Sequence, residues 1–157
     1  MTLKETAFHQ WRAVLTARRD NLSRNTDAAK SGTRVDGTHR PSNRGERAAV
    51  TTAGYLAQGL AARAAELQTH LDAMDEMGTD ARSEVAVGAL VTLAIDDEPP
   101  RTIAVFPGGD ATTLECAVQV LSIRSPLAQG LQDAEPGDVI EVDLGGRIAE
   151  VDVQTIA

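Results

Sequence analysis

Basic side chains are most concentrated between residues 18 and 47. This stretch carries eight basic and four acidic residues, a net charge of +4, although the whole chain carries −8. The basic residues are Arg18, Arg19, Arg24, Lys30, Arg34, Arg40, Arg44 and Arg47, and the acidic residues are Asp20, Asp27, Asp36 and Glu46. A basic surface attracts anions and repels divalent cations. The stretch is therefore expected to meet phosphates or acidic protein groups.

Side-chain sets typical of enzymes are missing from the sequence. His9 and His70 have no companion Cys or acidic cluster at metal-ligand spacing, and the single Cys116 excludes an internal disulfide and a Cys-rich zinc site. The loop Pro107–Asp110 lacks the Lys of a phosphate-binding loop. No Ser/His/Asp or Cys/His set is evident. We therefore expect a protein that is not itself an enzyme and has no cofactor of its own.

The first half of the chain predicts two helices joined by a loop. Apolar residues recur every seven positions from Phe8 to Ala29 and again from Ala53 to Met74. This spacing gives each helix a narrow apolar seam, which is typical of paired helices. Residues 31–45 between them are rich in turn-forming residues. The prediction is an antiparallel helical hairpin over 1–78 with its tip at 31–45; the alternative is a compact helical bundle.

The second half of the chain changes to a period of two, which predicts β-strands. Alternating apolar residues start at Val85, at Ile103, at Leu114 (through Cys116), at Val139 and at Ile148. Ser125 and Pro126 are suited to begin a short helix, and Gly145–Gly146 predicts a hairpin turn. The order is β-β-β-α-β-β over 83–157. The fold class is therefore α+β, with an antiparallel sheet and one short helix.

Three segments of the second half resemble the Gre-type family of bacterial transcription elongation factors. They are Val85–Leu93, Ser125–Leu131 and Glu135–Val142 followed by two glycines. The resemblance implies an FKBP-like domain that docks on the rim of the RNA polymerase secondary channel. It assigns that docking to Ser125, Pro126 and Leu127. It also implies that the hairpin enters the channel.

The family's cleavage motif, Asp-x-x-Glu-Asn near the second helix, aligns best with 39–43. Asn43 matches, but His39 and Ser42 occupy the two acidic positions that hold Mg²⁺ at the polymerase active site in cleavage-stimulating members. The resemblance leaves Asp36 and Glu46 as weak candidates for that shared ion. Arg40, Arg44 and Arg47 are candidates for contact with RNA phosphates or acidic polymerase groups.

These observations predict a channel-entering regulator that modulates or inhibits transcription without strong cleavage stimulation. One alternative is a cleavage-stimulating factor that uses Asp36 and Glu46. Another is a regulator of a different target that uses the FKBP-like domain as a protein-binding module. We expect a cytoplasmic monomer whose partner is bacterial RNA polymerase. Contact with nucleic acid would be indirect, and no membrane would be involved, since no apolar run approaches about 18–20 residues.

Overall fold

The computed structural model describes residues 1–31 and 44–157. Two long helices come first, α1 (Leu3–Ser31) and α2 (Arg44–Met77). Five strands and a short helix follow: β1 (Leu90–Ile95), β2 (Arg101–Val105), β3 (Val118–Leu121), α3 (Pro126–Gly130), β4 (Val139–Asp143) and β5 (Ile148–Ile156). The predicted α+β class and the order of elements are confirmed.

The chain divides into two compact units. One contains Met1–Ala13 and His70–Ala157, and the other contains Val14–Thr69. The first unit therefore includes the start of α1 and the end of α2 as well as the sheet. The proposed domain ranges, 1–78 and 83–157, stay a prediction.

The seams that the heptad spacing predicts are buried in part, and Leu22, Leu60 and Leu67 along them are half-buried. In α1 the side chains of Phe8, Trp11 and Leu15 are buried, and in α2 those of Leu71 and Met74 are buried. α1 forms because residues 2–29 contain no Pro or Gly, and α2 because it is rich in Ala. None of the helices in the described ranges is long and apolar enough to cross a bilayer.

Two side-chain contacts show that the helices run antiparallel. Within the first unit, Arg12 pairs with Asp75 at 2.8 Å. Within the second unit, Arg19 Nη1 donates to Gln68 Oε1 at 2.7 Å. Within the first unit alone, Lys4 contacts Asp80 and the later Arg12 contacts the earlier Asp75, as an antiparallel pair requires.

The sheet has the strand order β3-β2-β1-β5-β4. Neighbouring strands pair antiparallel, except that β2 and β3 are parallel. The fully antiparallel sheet expected from the sequence is therefore wrong at this pair. Residues 106–117 supply the reason, since this connection is long enough to return the chain to the start of β2, and parallel neighbours need about a dozen residues or more.

Two predicted strands are shorter than their apolar alternation suggests. β1 begins at Leu90, because Ala89 N–H bonds back to Ala86 O at 2.9 Å and turns the chain before it. β3 begins at Val118, because Ala117 N–H bonds to Leu114 O at 2.9 Å and Ala117 adopts φ 62°. Cys116 therefore lies in a turn and is half-buried, not within a strand.

The core of the sheet lies between one sheet face and α3. It is built almost wholly from Ala, Val, Leu and Ile, as the low aromatic content predicts. Its fully buried members include Val91, Leu93, Ile103, Leu131 and Val151. At the last hairpin, Gly145 and Gly146 have φ values of 74° and 93°, and Leu144 N–H donates to Arg147 O at 2.8 Å. The predicted two-glycine turn is confirmed.

Candidate functional site

The Ser125–Leu127 segment is held rigidly at the start of α3. Ser125 has extended backbone angles (φ −61°, ψ 148°), and its Oγ accepts from Ala128 N–H at 3.2 Å. Pro126 occupies the first helical turn, where its missing N–H costs nothing. Leu127 is 7% exposed and belongs to the core. The accessible part of the predicted docking segment is therefore the exposed Pro126 ring and the half-buried Ser125.

Two small residues of α3 pack closely. Ala128 is fully buried. A Cβ at Gly130 would lie 2.4 Å from Val142 Cγ1. A methyl group at position 130 would force Val142 to move, so the glycine allows α3 to approach β4 closely.

Sequence reasoning missed a cluster that joins the start of α1 to the loop after β2. Trp11 is fully buried, and its Nε1–H donates to Pro107 O at 2.9 Å. Phe8 meets Phe106 edge to face, with ring centroids 6.3 Å apart. Gln10 Oε1 accepts from Cys116 N–H at 3.1 Å. From the sequence we expect Trp11 and Phe8 to pack across the hairpin or against the C-terminal half, and these contacts confirm the second alternative. The sequence did not indicate their partners Phe106 and Pro107, nor the bond between Gln10 and Cys116.

The same loop contains two glycines, Gly108 and Gly109, at positions where a larger side chain would not fit. Gly108 has φ +73°, and a Cβ there would lie 2.9 Å from His70 Cδ2. At Gly109 a Cβ would lie 2.2 Å from the carbonyl carbon of Leu121. The loop is therefore compressed between α2 and the end of β3. The sequence signal for this close packing is the pair of glycines within Pro107–Asp110.

Lys4 is a buried cation beside this cluster. Its residue is 6% exposed, and its Nζ donates to the main-chain oxygens of Asp80 and, at 3.2 Å, of Ala157. Burial lowers the pKa of Lys4 below its ordinary value; Arg82 lowers it further, and Asp80 opposes the shift. Lys4 therefore links the first turn of α1 to the segment after α2 and to the end of β5.

The predicted tip residues fall in two groups. Asp36, His39, Arg40, Ser42 and Asn43 lie outside the described residues. The others stand in the first turn of α2, where Arg44 and Arg47 are exposed and Glu46 is half-buried. Both Glu46 and Arg47 make further interactions.

The described residues give no support for a metal site in that first turn. A carboxylate such as Glu46 is favourable at a helix N-terminus without any ligand. No group of three or more His, Cys, Asp or Glu residues in the described ranges could hold a metal ion. The assignment of Asp36 and Glu46 to a shared Mg²⁺ stays a prediction.

From the sequence Tyr55 is a candidate to close the helical seam in its distal half, and the structure shows that it does not. Its side chain is 71% exposed, and the adjacent Leu56 is 56% exposed. The seam runs through Ala53 and the buried Ala57, and Tyr55 stands two residues from each. A two-residue step rotates a helical side chain to the opposite face, so the aromatic ring points to solvent.

Comparisons with known proteins find distant structural likeness only. No protein-family model matches the chain, and no curated protein matches it. A solved structure of GreA factor homolog 1 (Gfh1) from Thermus thermophilus is 16% identical, with a TM-score of 0.38, covering 96% of this chain and 94% of that one. Gfh1 from Thermus aquaticus is 17% identical, with a TM-score of 0.39, covering 98% and 94%. Likeness at this level does not establish family membership.

Proposed function

We propose that this chain is a Gre-type transcription factor that binds bacterial RNA polymerase and modulates transcription without strong cleavage stimulation. The sheet unit would dock on the polymerase, and the helical hairpin would enter the secondary channel. The observation that carries the proposal is the combination of two elements in one chain. They are an antiparallel helix pair and a sheet with one capped helix that presents Pro126.

The composition of the tip supports a modulating role over a cleavage role. His39 and Ser42 stand where the cleavage motif has carboxylates, and neither side chain is a good Mg²⁺ ligand. In the first turn of α2, two exposed arginines flank Glu46. The positive charge of these arginines opposes binding of a Mg²⁺ ion beside Glu46. Any RNA cleavage in such a complex would use the metal chemistry of the polymerase, so we propose that the chain is not itself an enzyme.

A transcript-cleavage assay on stalled complexes of purified polymerase tests the proposed activity. The wild-type protein should change elongation and leave backtracked RNA largely uncleaved. The double variant His39→Asp, Ser42→Glu restores the acidic pair and should gain cleavage activity. Robust cleavage by the wild-type protein would instead favour a role for Asp36 and Glu46.

Polymerase binding needs a separate test that leaves the sheet unit intact. Deletion of residues 1–80 is unsuitable, because it would uncover Phe106, which is 1% exposed, and remove Trp11 from the cluster. Pro126→Glu keeps a residue suited to a helix start and changes the exposed surface. Pro100→Glu, in the exposed turn between β1 and β2, is the matched control. Loss of polymerase binding in the first variant alone is the expected result; unchanged binding in both contradicts docking through α3.

A further inference from the structure

The two edges of the sheet differ in their backbone pairing. Strand order places β3 at one edge and β4 at the other. The outer side of β3 is paired by the segment before it: Ala111 N–H bonds to Val120 O at 2.8 Å, and Leu114 N–H bonds to Val118 O at 2.8 Å. β4 pairs with β5 alone, and among residues 1–31 and 44–157 no segment bonds to its outer side. Within the described part of the chain, β4 is therefore the edge strand whose outer backbone groups have no strand partner.

The hydrogen-bond register shows which groups of β4 face outward. Leu144 N–H donates to Arg147 O at 2.8 Å, which makes these two residues a hydrogen-bonded pair beside the turn. Bonding alternates along an antiparallel ladder, so Ile140 and Val142 also bond to β5. The N–H and C=O groups of Val139, Glu141 and Asp143 therefore point away from the sheet. They form a row that another strand can join.

The solvent face of β4 and β5 is mostly acidic, although the exposed apolar side chains of Val139 and Ile148 also lie on it. Glu141 and Asp143 are exposed, and Glu141 stands directly opposite Glu150 on β5. Directly opposed like charges destabilise an antiparallel pair. Arg147, in the turn between β4 and β5, pairs with Asp96 at 3.1 Å. In the described contacts it bonds to neither Glu141 nor Glu150. A cationic partner would relieve this repulsion.

The other face of β4 is apolar. Ile140 and Leu144 are partly buried against the core. A strand added beside β4 would place alternate side chains next to this apolar layer and the rest next to Glu141 and Asp143. Strand addition of this kind takes affinity from main-chain hydrogen bonds and specificity from alternate side chains.

We propose that the β4 edge binds an extended segment of a partner protein in which Lys or Arg alternates with aliphatic residues. The basic side chains meet Glu141, Asp143 and Glu150, and the aliphatic side chains extend the layer of Ile140 and Leu144. A second copy of this chain fits poorly, because antiparallel self-pairing centred on Glu141 sets that carboxylate against itself. The inference goes beyond the proposed action on transcription and does not depend on it.

Peptide binding to the full chain tests the proposal. The probe is a heptapeptide of alternating lysine and valine, and its control has glutamate in place of lysine. The lysine peptide should bind more tightly, should weaken as salt rises, and should slow hydrogen exchange at the amides of residues 139, 141 and 143. Glu141→Gln should weaken binding about 2- to 5-fold, as loss of an exposed ion pair does. Glu115→Gln, in the turn before β3, makes the same charge change at the far edge and should leave binding unchanged.

A backbone variant separates strand addition from simple charge attraction. Glu141→Pro removes an outward N–H that β5 does not use, and proline is tolerated at such edge positions. It should weaken the lysine peptide more than Glu141→Gln does. Equal binding of the two peptides, or binding without protection of the β4 amides, would overturn the proposal. Dimerisation of the wild-type chain through β4 would overturn it as well.

Discussion

Truncation of Trp11 tests the cluster that joins α1 to the loop after β2. The indole is fully buried, and its N–H is bonded to Pro107 O at 2.9 Å. Trp11→Ala should lower the free energy of unfolding by about 3–5 kcal/mol, as large-to-small core substitutions of aromatic residues do. Trp11→Phe keeps a ring but leaves the Pro107 carbonyl without its donor, which costs about 1–3 kcal/mol.

Urea unfolding followed by circular dichroism measures both values. Tyr55→Ala is the matched control, because this ring is 71% exposed and its loss should change stability by less than about 0.5 kcal/mol. Trp11 is also the single tryptophan, so wild-type fluorescence reports on this site directly. Its emission should resist quenching by iodide. A Trp11→Ala variant as stable as Tyr55→Ala, or free quenching of the wild-type emission, would refute the reasoning.

Two further predictions concern the packed loop and the helix pair. Gly109→Ala should destabilise by about 1–3 kcal/mol in the same unfolding measurement, because the added Cβ meets the Leu121 backbone at 2.2 Å. Gly59→Ala, within α2 and with nothing inside 4 Å of the new methyl group, should stabilise by about 1 kcal/mol; the reverse order would contradict the loop geometry. The hydrogen bond from Arg12 lowers the pKa of Asp75 below its ordinary value of 3.8. The Arg12–Asp75 pair therefore stabilises the fold at pH values above the ordinary pKa of an Asp. This stabilisation is lost as pH falls through the lowered pKa of Asp75. The melting-temperature difference between wild type and Asp75→Asn should be present at neutral pH and vanish in acid, and a difference that does not change with pH would count against the ion pair.

Local patterns were sufficient to predict the elements of this protein. Heptad spacing predicted two helices where α1 and α2 lie, because a buried seam on a helix must repeat with the helical turn. The cap at Ser125 and the turn at Gly145–Gly146 were equally readable, since each depends on the conformational preferences of neighbouring residues. The low aromatic content likewise predicted a core of Ala, Val, Leu and Ile.

Contacts between residues far apart in sequence needed the tertiary structure. The parallel pairing of β2 and β3 depends on the path of residues 106–117, which no strand periodicity encodes. The bond from Trp11 to Pro107 joins residues 96 apart in sequence, and the compression of Gly109 against Leu121 joins the loop to the end of β3. The open edge of β4 likewise depends on the strand order and on the segment that pairs with the outer side of β3. Periodicity reports which face of an element is apolar, but the neighbour that covers that face is chosen by how the whole chain packs.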